Sequence, residues 1–240
     1  MTNMKTVIIT GASQGIGAGL VAAYRAKGWR VVANSRSIRT DAFGDDPGIA
    51  IVEGDVGDTI TAARLVDTAV ARFGRVDSLV NNAGIFIAKP FTDYSEADFA
   101  AKIGVNLAGF FHVTQAAIAR MLAQGEGGHV VSITTSLVNQ PINGVPSVLA
   151  SLTKGGIDAA TRSLAIEYAG NGIRANAVSP GIIQTPMHAP ETHATLAGLH
   201  PIGRMGTIDE IVEAVLYLED AGFVTGETLH VDGGQHAGRW

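Results

Sequence analysis

Apolar residues come along this chain in short runs that alternate with stretches repeating at helical spacing. Thr6-Val7-Ile8-Ile9 opens the series as a strand, and Leu20, Val21 and Tyr24 then mark one face of a helix. Val31 to Asn34 predicts a second strand. Ile49 to Val52 predicts a third, set off by Asp46-Pro47-Gly48 before it and Gly54 after it. Leu65, Val66, Ala69, Val70 and Phe73 recur as on a helix, and Val76 to Val80 reads as the fourth strand. Ala97 to Met121 is helical material with a glycine break near Gly104, and His129 to Thr134 is the fifth strand. A long helix from Val148 to Ala169 is stopped by Gly170-Asn171-Gly172. Ile173 to Val178, a helix from Ile208 to Leu218, and a last strand from Glu227 to Val231 complete the chain. Strand alternating with helix is the pattern of an α/β fold, a parallel sheet of about seven strands covered on both faces. With no repeat, low-complexity tract or linker, residues 1–240 read as a single domain.

Composition narrows the function classes. At 240 residues with 46% hydrophobic and 16% charged content, the chain suits one globular core. A net charge of −5 without a basic run argues against nucleic acid or an anionic membrane as partner. Charges and glycines interrupt every apolar stretch short of the ~18 residues a membrane span needs. The chain has no cysteine, so disulfide and thiolate chemistry are excluded and the cytoplasm is the expected location.

The first strand runs into Thr10-Gly11-Ala12-Ser13-Gln14-Gly15-Ile16-Gly17, and a helix follows. Glycine lets the backbone turn sharply and lets a bulky anion approach. The helix start aims free N–H groups and a positive dipole end at that anion. Such a turn suits the pyrophosphate of a nucleotide cofactor, and taken alone it equally suits a tight strand–helix connection.

Other segments accompany the turn. Asn81-Asn82-Ala83-Gly84 follows the fourth strand, Asn106 sits in a later helix, and Lys154 lies in the long helix. Ser179-Pro180-Gly181-Ile182-Ile183-Gln184-Thr185 follows the sixth strand, and Asp232-Gly233-Gly234 follows the last. This set, in this order and over nearly the whole chain, resembles the short-chain dehydrogenase/reductase family. The resemblance implies a Rossmann-type doubly wound sheet, a nicotinamide dinucleotide, a small-molecule substrate and a homotetramer or homodimer. It also implies cofactor contacts. Gly11, Gly15 and Gly17 match the family's glycine turn, lined by Ser13, Gln14 and Ile16. Asp55-Val56 matches the pair at the adenine, and Asn82, Ala83 and Gly84 match the loop at the adenosine ribose. Pro180, Gly181, Ile183 and Thr185 match the segment at the nicotinamide amide.

The end of the second strand bears on NAD against NADP. An acidic residue there would bind both ribose hydroxyls and repel a 2′-phosphate. Ser35 holds the position and Arg36 follows it. A guanidinium is a good phosphate clamp, so the pair points to NADP(H), the alternative being that Arg36 is a solvated surface charge.

The family's chemistry, as the resemblance implies it, uses a tyrosine as proton donor, a lysine four residues later, a serine and an asparagine. Lys154 and Asn106 fill two of these places, but Ala150 stands where the tyrosine belongs. Tyr24, Tyr94, Tyr168 and Tyr217 all lie beyond a small register shift. Counted from the fifth strand the serine place falls on Thr135, and counted back from Lys154 it falls near Leu137, with Ser136 between. The loop from Val138 to Pro146 therefore reads as lengthened by about two residues, and Thr135 or Ser136 could each supply the hydroxyl. Candidate replacements for the tyrosine are Ser147 or Ser151, a water held by Lys154 and Asn106, and His188. The plainer reading makes His188, His193 and His200 exposed lid residues. A substrate lid is expected at about 186–205, with Met187, Leu196 and Leu199 facing Gln140, Ile142, Asn143 and Val145 across a pocket for a small or medium carbonyl compound. Arg239-Trp240 would anchor on a neighbouring subunit. Two further readings accompany the carbonyl oxidoreductase. One is an NADP(H)-binding sensor or assembly subunit without turnover. The other is a reductase of an imine or activated C=C bond.

Overall fold

The computed structural model describes residues 4–39 and 41–238, so Arg239 and Trp240 lie outside the described residues. Successive side chains of a strand point to opposite faces of a sheet. In β1 (Thr6–Ile9) all four residues are buried, which requires cover on both sides. Val7 and Ile9 pack into one layer with Leu20 and Tyr24 of α1 (Gly15–Ala26) and Ile211 and Val215 of α7 (Ile208–Asp220). Ile8 packs into the other with Leu65 of α2 (Thr59–Phe73) and Val113 and Ala117 of α4 (Gly109–Gln124).

The remaining strands are β2 (Arg30–Ser35), β3 (Ile49–Glu53), β4 (Ser78–Asn81), β5 (Gly128–Ile133), β6 (Ile173–Pro180) and β7 (Thr228–Val231). They form one seven-stranded sheet in the order β3-β2-β1-β4-β5-β6-β7, and every pairing is parallel. This is the Rossmann-type doubly wound sheet. Strand order reverses between β1 and β4, so a crevice opens at the carboxyl ends of those two strands.

Several boundaries move for local reasons. Val76 and Asp77 precede β4, because the Gln124 side chain accepts from Val76 N (2.8 Å) and donates to Val76 O (2.8 Å) in place of a neighbouring strand. The glycine break near Gly104 does not occur. α3 (Glu96–Lys102) continues through a π-helical stretch, Ile103–Ala108, into α4. That widened turn carries Asn106 inward, a distortion common at functional positions. α5 (Val148–Tyr168) ends in a 3₁₀ turn, and Gly172 (φ 70°) closes it in the left-handed conformation. Between β6 and α7 lies the segment expected as a substrate lid, which includes the short α6 (His193–Ala197).

Candidate active site

The crevice at the β1/β4 switch is a cleft of about 560 Å³. Its floor is fastened by side chains. Thr10 Oγ1 accepts from Asn82 N (3.1 Å) and Ala83 N (3.0 Å), and Asn82 Nδ2 donates to Thr10 O (2.9 Å) and Gly11 O (3.0 Å). A Cβ on Gly17 would stand 2.1 Å from Gly11 O, so only glycine lets α1 approach the turn this closely. α1 has no side-chain cap on its Gln14 end and no acid in its first turn. Its first N–H groups and positive dipole end are therefore left for an anion. Gly11, Ser13, Gln14, Gly15 and Ile16 line the cleft, whereas Gly17 acts behind it.

At the far end of β2 the buried Asn34 side chain donates to Val52 O (2.9 Å) and Gly54 O (3.1 Å) and fixes the strand end. Ser35 Oγ accepts from Ser13 Oγ (3.0 Å), and Arg36, exposed, lines the cleft beside it. Asp55 Oδ1 accepts from Gly57 N (2.9 Å), which holds Asp55 and Val56 at the same wall. Asn82, Ala83 and Gly84 face the cleft from β4, and Pro180, Gly181, Ile183 and Thr185 face it from β6 and the lid.

The opposite end of the cleft lies along α5 and the end of β5. Lys154 donates to Ile133 O (2.6 Å), and a Cβ on Gly84 would stand only 3.2 Å from its Nζ. Burial, then the nearby Lys102, lowers the Lys154 amine from 10.5 to about 8. Ala150 lines the same wall, one helical turn earlier on α5. Thr135 faces the cleft, but Ser136 does not: it is buried and its hydroxyl donates to Gln235 Oε1. Asn106 lies behind Lys154. Its Oδ1 accepts from Ile85 N (3.0 Å) and its Nδ2 donates to Thr153 Oγ1 (3.2 Å). The two residues share a second cavity of about 10 Å³, just the size of one water site.

The remaining candidates separate clearly. Ser151 donates to Leu137 O (3.2 Å), and Ser147 is buried outside the cleft. His188 is half-buried on the lid, faces the cleft with Met187, and is lowered by burial and then by His193. His200 corrects the plain lid reading: it is 3% exposed, and its Nε2 accepts from Ile182 N (2.9 Å) to pin the start of the lid. Leu196, Leu199 and the loop residues Gln140, Ile142, Asn143 and Val145 do not reach the cleft wall; Leu137 does instead. The sequence reading missed Lys102. This residue is 1% exposed, lines the cleft and donates to Ile85 O (2.7 Å). Burial lowers it from 10.5 to about 8. The available signal was its place four residues before Asn106, a spacing that shares a helix face.

Comparison with known proteins agrees with this architecture. A family model described as enoyl-(acyl carrier protein) reductase matches residues 11–236. The 3beta-hydroxysteroid dehydrogenase 1 of Eggerthella lenta is 36% identical, with 96% of this chain and 93% of that protein covered. Among solved structures, ElxO with NADP bound has a TM-score of 0.90 at 29% identity, covering 98% of this chain and 100% of that one. The 3-ketoacyl-(acyl-carrier-protein) reductase from Brucella melitensis complexed with NADH has a TM-score of 0.88 at 29% identity, covering 97% and 98%. With a family match over most of its length, a doubly wound sheet and a glycine turn at the switch point, this chain belongs to the short-chain dehydrogenase/reductase family of oxidoreductases.

Proposed function

We propose that this protein is an NADP(H)-dependent oxidoreductase that interconverts a small or medium carbonyl compound and its alcohol with a proton donor other than tyrosine. One observation carries the reading: the glycine turn, Arg36, Thr135 and Lys154 all border a single continuous cleft, and Ala150 stands among them. The residues fit the cofactor. The uncapped start of α1 suits a pyrophosphate, and Ser35 with Arg36 suits a 2′-phosphate better than a carboxylate would. Lys154, anchored on Ile133 O, is placed to hold the nicotinamide ribose. When bound, a reduced nicotinamide supplies a hydride. Thr135 offers a hydroxyl to orient the substrate oxygen, and the exposed Met187 and half-buried His188 border the pocket from the segment that would close over it. NADP in one structural relative supports this cofactor and NADH in another leaves the choice to Arg36.

Fluorescence titration with NADPH and NADH, followed by a panel of ketones, aldehydes, imines and activated alkenes, tests the reading. Tighter binding of NADPH with carbonyl turnover is expected, and absence of NADPH binding refutes it. Ala150 favours a second reading, a sensor that binds NADP(H) without turnover; measurable reduction of any carbonyl eliminates that reading. The exposed Phe111 and Leu152, and Ile166 at 82% exposure, support a homo-oligomer assembled through α4 and α5, which sedimentation checks.

A further inference from the structure

Carbonyl reduction needs a proton at the substrate oxygen, and the methyl group of Ala150 has none to give. Lys102 is a cation in the same cleft that the family pattern does not use. It ends α3, and it is the sole buried residue of that helix. A surface helix ordinarily buries an apolar stripe. This one buries an ammonium and leaves Phe99 41% exposed.

The amine is only partly satisfied. Of its three N–H groups one meets Ile85 O (2.7 Å). Its other surroundings are the Phe86 ring, with Nζ 5.4 Å from the centroid, and the open cleft. Among the described residues, the charged groups around it do not neutralise it. From α5 comes Lys154, a like charge. One turn back on its own helix, Asp98 is already held by Lys89 (2.7 Å) and by the Ser95 cap. His188, which lines the same cleft, is itself pushed towards the neutral form by burial and then by His193. A buried charge without a counterion is costly, so this placement asks for a function.

We propose that Lys102 is the proton donor to the substrate oxygen, filling from α3 the role that Ala150 leaves empty on α5. The proposal rests on the reading that the cleft holds a reduced nicotinamide beside a carbonyl substrate. The step balances simply. The carbonyl carbon gains, with its two electrons, the hydride that a bound reduced nicotinamide would give up from its C–H bond, so the carbonyl is reduced as the nicotinamide is oxidised, and the C=O π pair moves to oxygen. An N–H bond of the Lys102 ammonium breaks as the new O–H bond forms. The neutral amine then takes a proton from solvent through the cleft mouth, and alcohol oxidation runs the same path backwards. A general acid works best with a pKa near the working pH, and burial has already brought this amine to about 8. Lys154 is the competing amine. It is turned onto Ile133 O and shares the small inner cavity with Asn106, which suits the ribose rather than the substrate.

The test uses the full-length protein with Lys102→Gln, Lys102→Met and Lys102→Arg. Three quantities are measured: NADPH affinity by fluorescence, the pH profile of carbonyl reduction, and the titration of lysine side chains by NMR. The glutamine and methionine variants are expected to bind NADPH within about threefold of the parent while kcat falls about 10²–10⁴-fold. Arginine keeps the charge but does not release its proton, so it should not restore the rate. The parent rate should decline as pH rises through about 8, and that limb should vanish in the variants. The Arg variant should also lose one lysine resonance that titrates far below the ordinary 10.5. Any of four results overturns the proposal. They are a glutamine variant with unchanged kcat and pH profile, full rescue by arginine, a Lys102 resonance that titrates normally, and a parent protein that binds NADPH yet reduces no carbonyl. The last leaves the cofactor reading standing as a binding protein. Failure of the parent to bind NADPH strikes that reading itself, and this assignment with it.

Discussion

Two buried polar clusters lie at opposite ends of β5, and they follow opposite rules. At its start, His129 and the carboxylate of Glu219 join a closed network. Glu219 Oε2 accepts from Tyr24 Oη (2.9 Å), Ser78 Oγ (2.8 Å) and His129 Nδ1 (3.2 Å), while Asn176 Nδ2 lies 3.0 Å from the other nitrogen of His129. Burial pushes the Glu219 carboxyl up, but hydrogen bonds and attraction from its partners, His129 foremost, outweigh that and hold it below its ordinary value. At the end of β5, Ile133 O receives Lys154, and Lys102 sits nearby on Ile85 O. Those two amines repel each other, and burial lowers both to about 8. A satisfied buried charge ties elements together, since losing any partner leaves the rest uncompensated. An unsatisfied one carries a desolvation cost that no partner offsets.

The comparison can be broken most forcefully at Glu219. Glu219→Ala should destabilise the protein by about 3–5 kcal/mol in urea denaturation, because three donors lose a buried acceptor. A loss below about 1 kcal/mol would show that the network does not hold the strands. Lys102→Met should do the reverse. The amine is lowered from 10.5 to about 8 in the folded protein, so its charged form is disfavoured there. At about 1.4 kcal/mol per tenfold, that is a penalty of about 3 kcal/mol. The penalty is whole below pH 8 and fades as pH rises towards 10.5, where the unfolded lysine also loses its proton. The methionine variant should therefore melt higher at neutral pH, with its advantage shrinking in alkali. A lower melting temperature at neutral pH would contradict the account.

Acid sharpens the other side of the comparison. Glu219 has a depressed folded pKa, so its contribution is present above the ordinary 4.5 and is lost as pH falls through the folded value. Glu219→Gln should flatten that part of the stability profile, and an unchanged acid limb would assign it to other carboxylates. The smallest effect is expected at the cofactor end. Arg36→Ala should weaken NADPH by about tenfold in fluorescence titration and leave NADH nearly unchanged. Equal losses for both cofactors would mean that Arg36 does not read a 2′-phosphate.

Much of the cofactor end was legible because its signals are local. Gly11 lies in the turn and Gly15 and Gly17 in the first turn of α1, so the glycines are close together in the chain, as is the contact of Gly17 with Gly11 O. Ser35 and Arg36 sit at the end of a strand whose apolar run marks its own position. The reacting end was legible only in part. Thr135 and Ser136 are adjacent and chemically alike, yet one faces the cleft and the other is captured by Gln235 from the far terminus. His200 looks like a polar lid residue until its bond to Ile182 N buries it.

That Ala150 stands at a tyrosine place is what the family resemblance implies, whereas the sequence by itself determined the alternation of strands and helices, the single sheet covered on both faces, and the glycine turn. Each follows from periodicity or from residue type at a local spacing. Only the tertiary structure decided which hydroxyl faces the cleft, which histidine is structural, and that Lys102 is buried with Lys154 against one wall. Those outcomes depend on contacts between segments far apart in the chain. Whether a polar side chain is solvated or desolvated is fixed by what packs over it, and desolvation is what turns an ordinary lysine into a candidate acid.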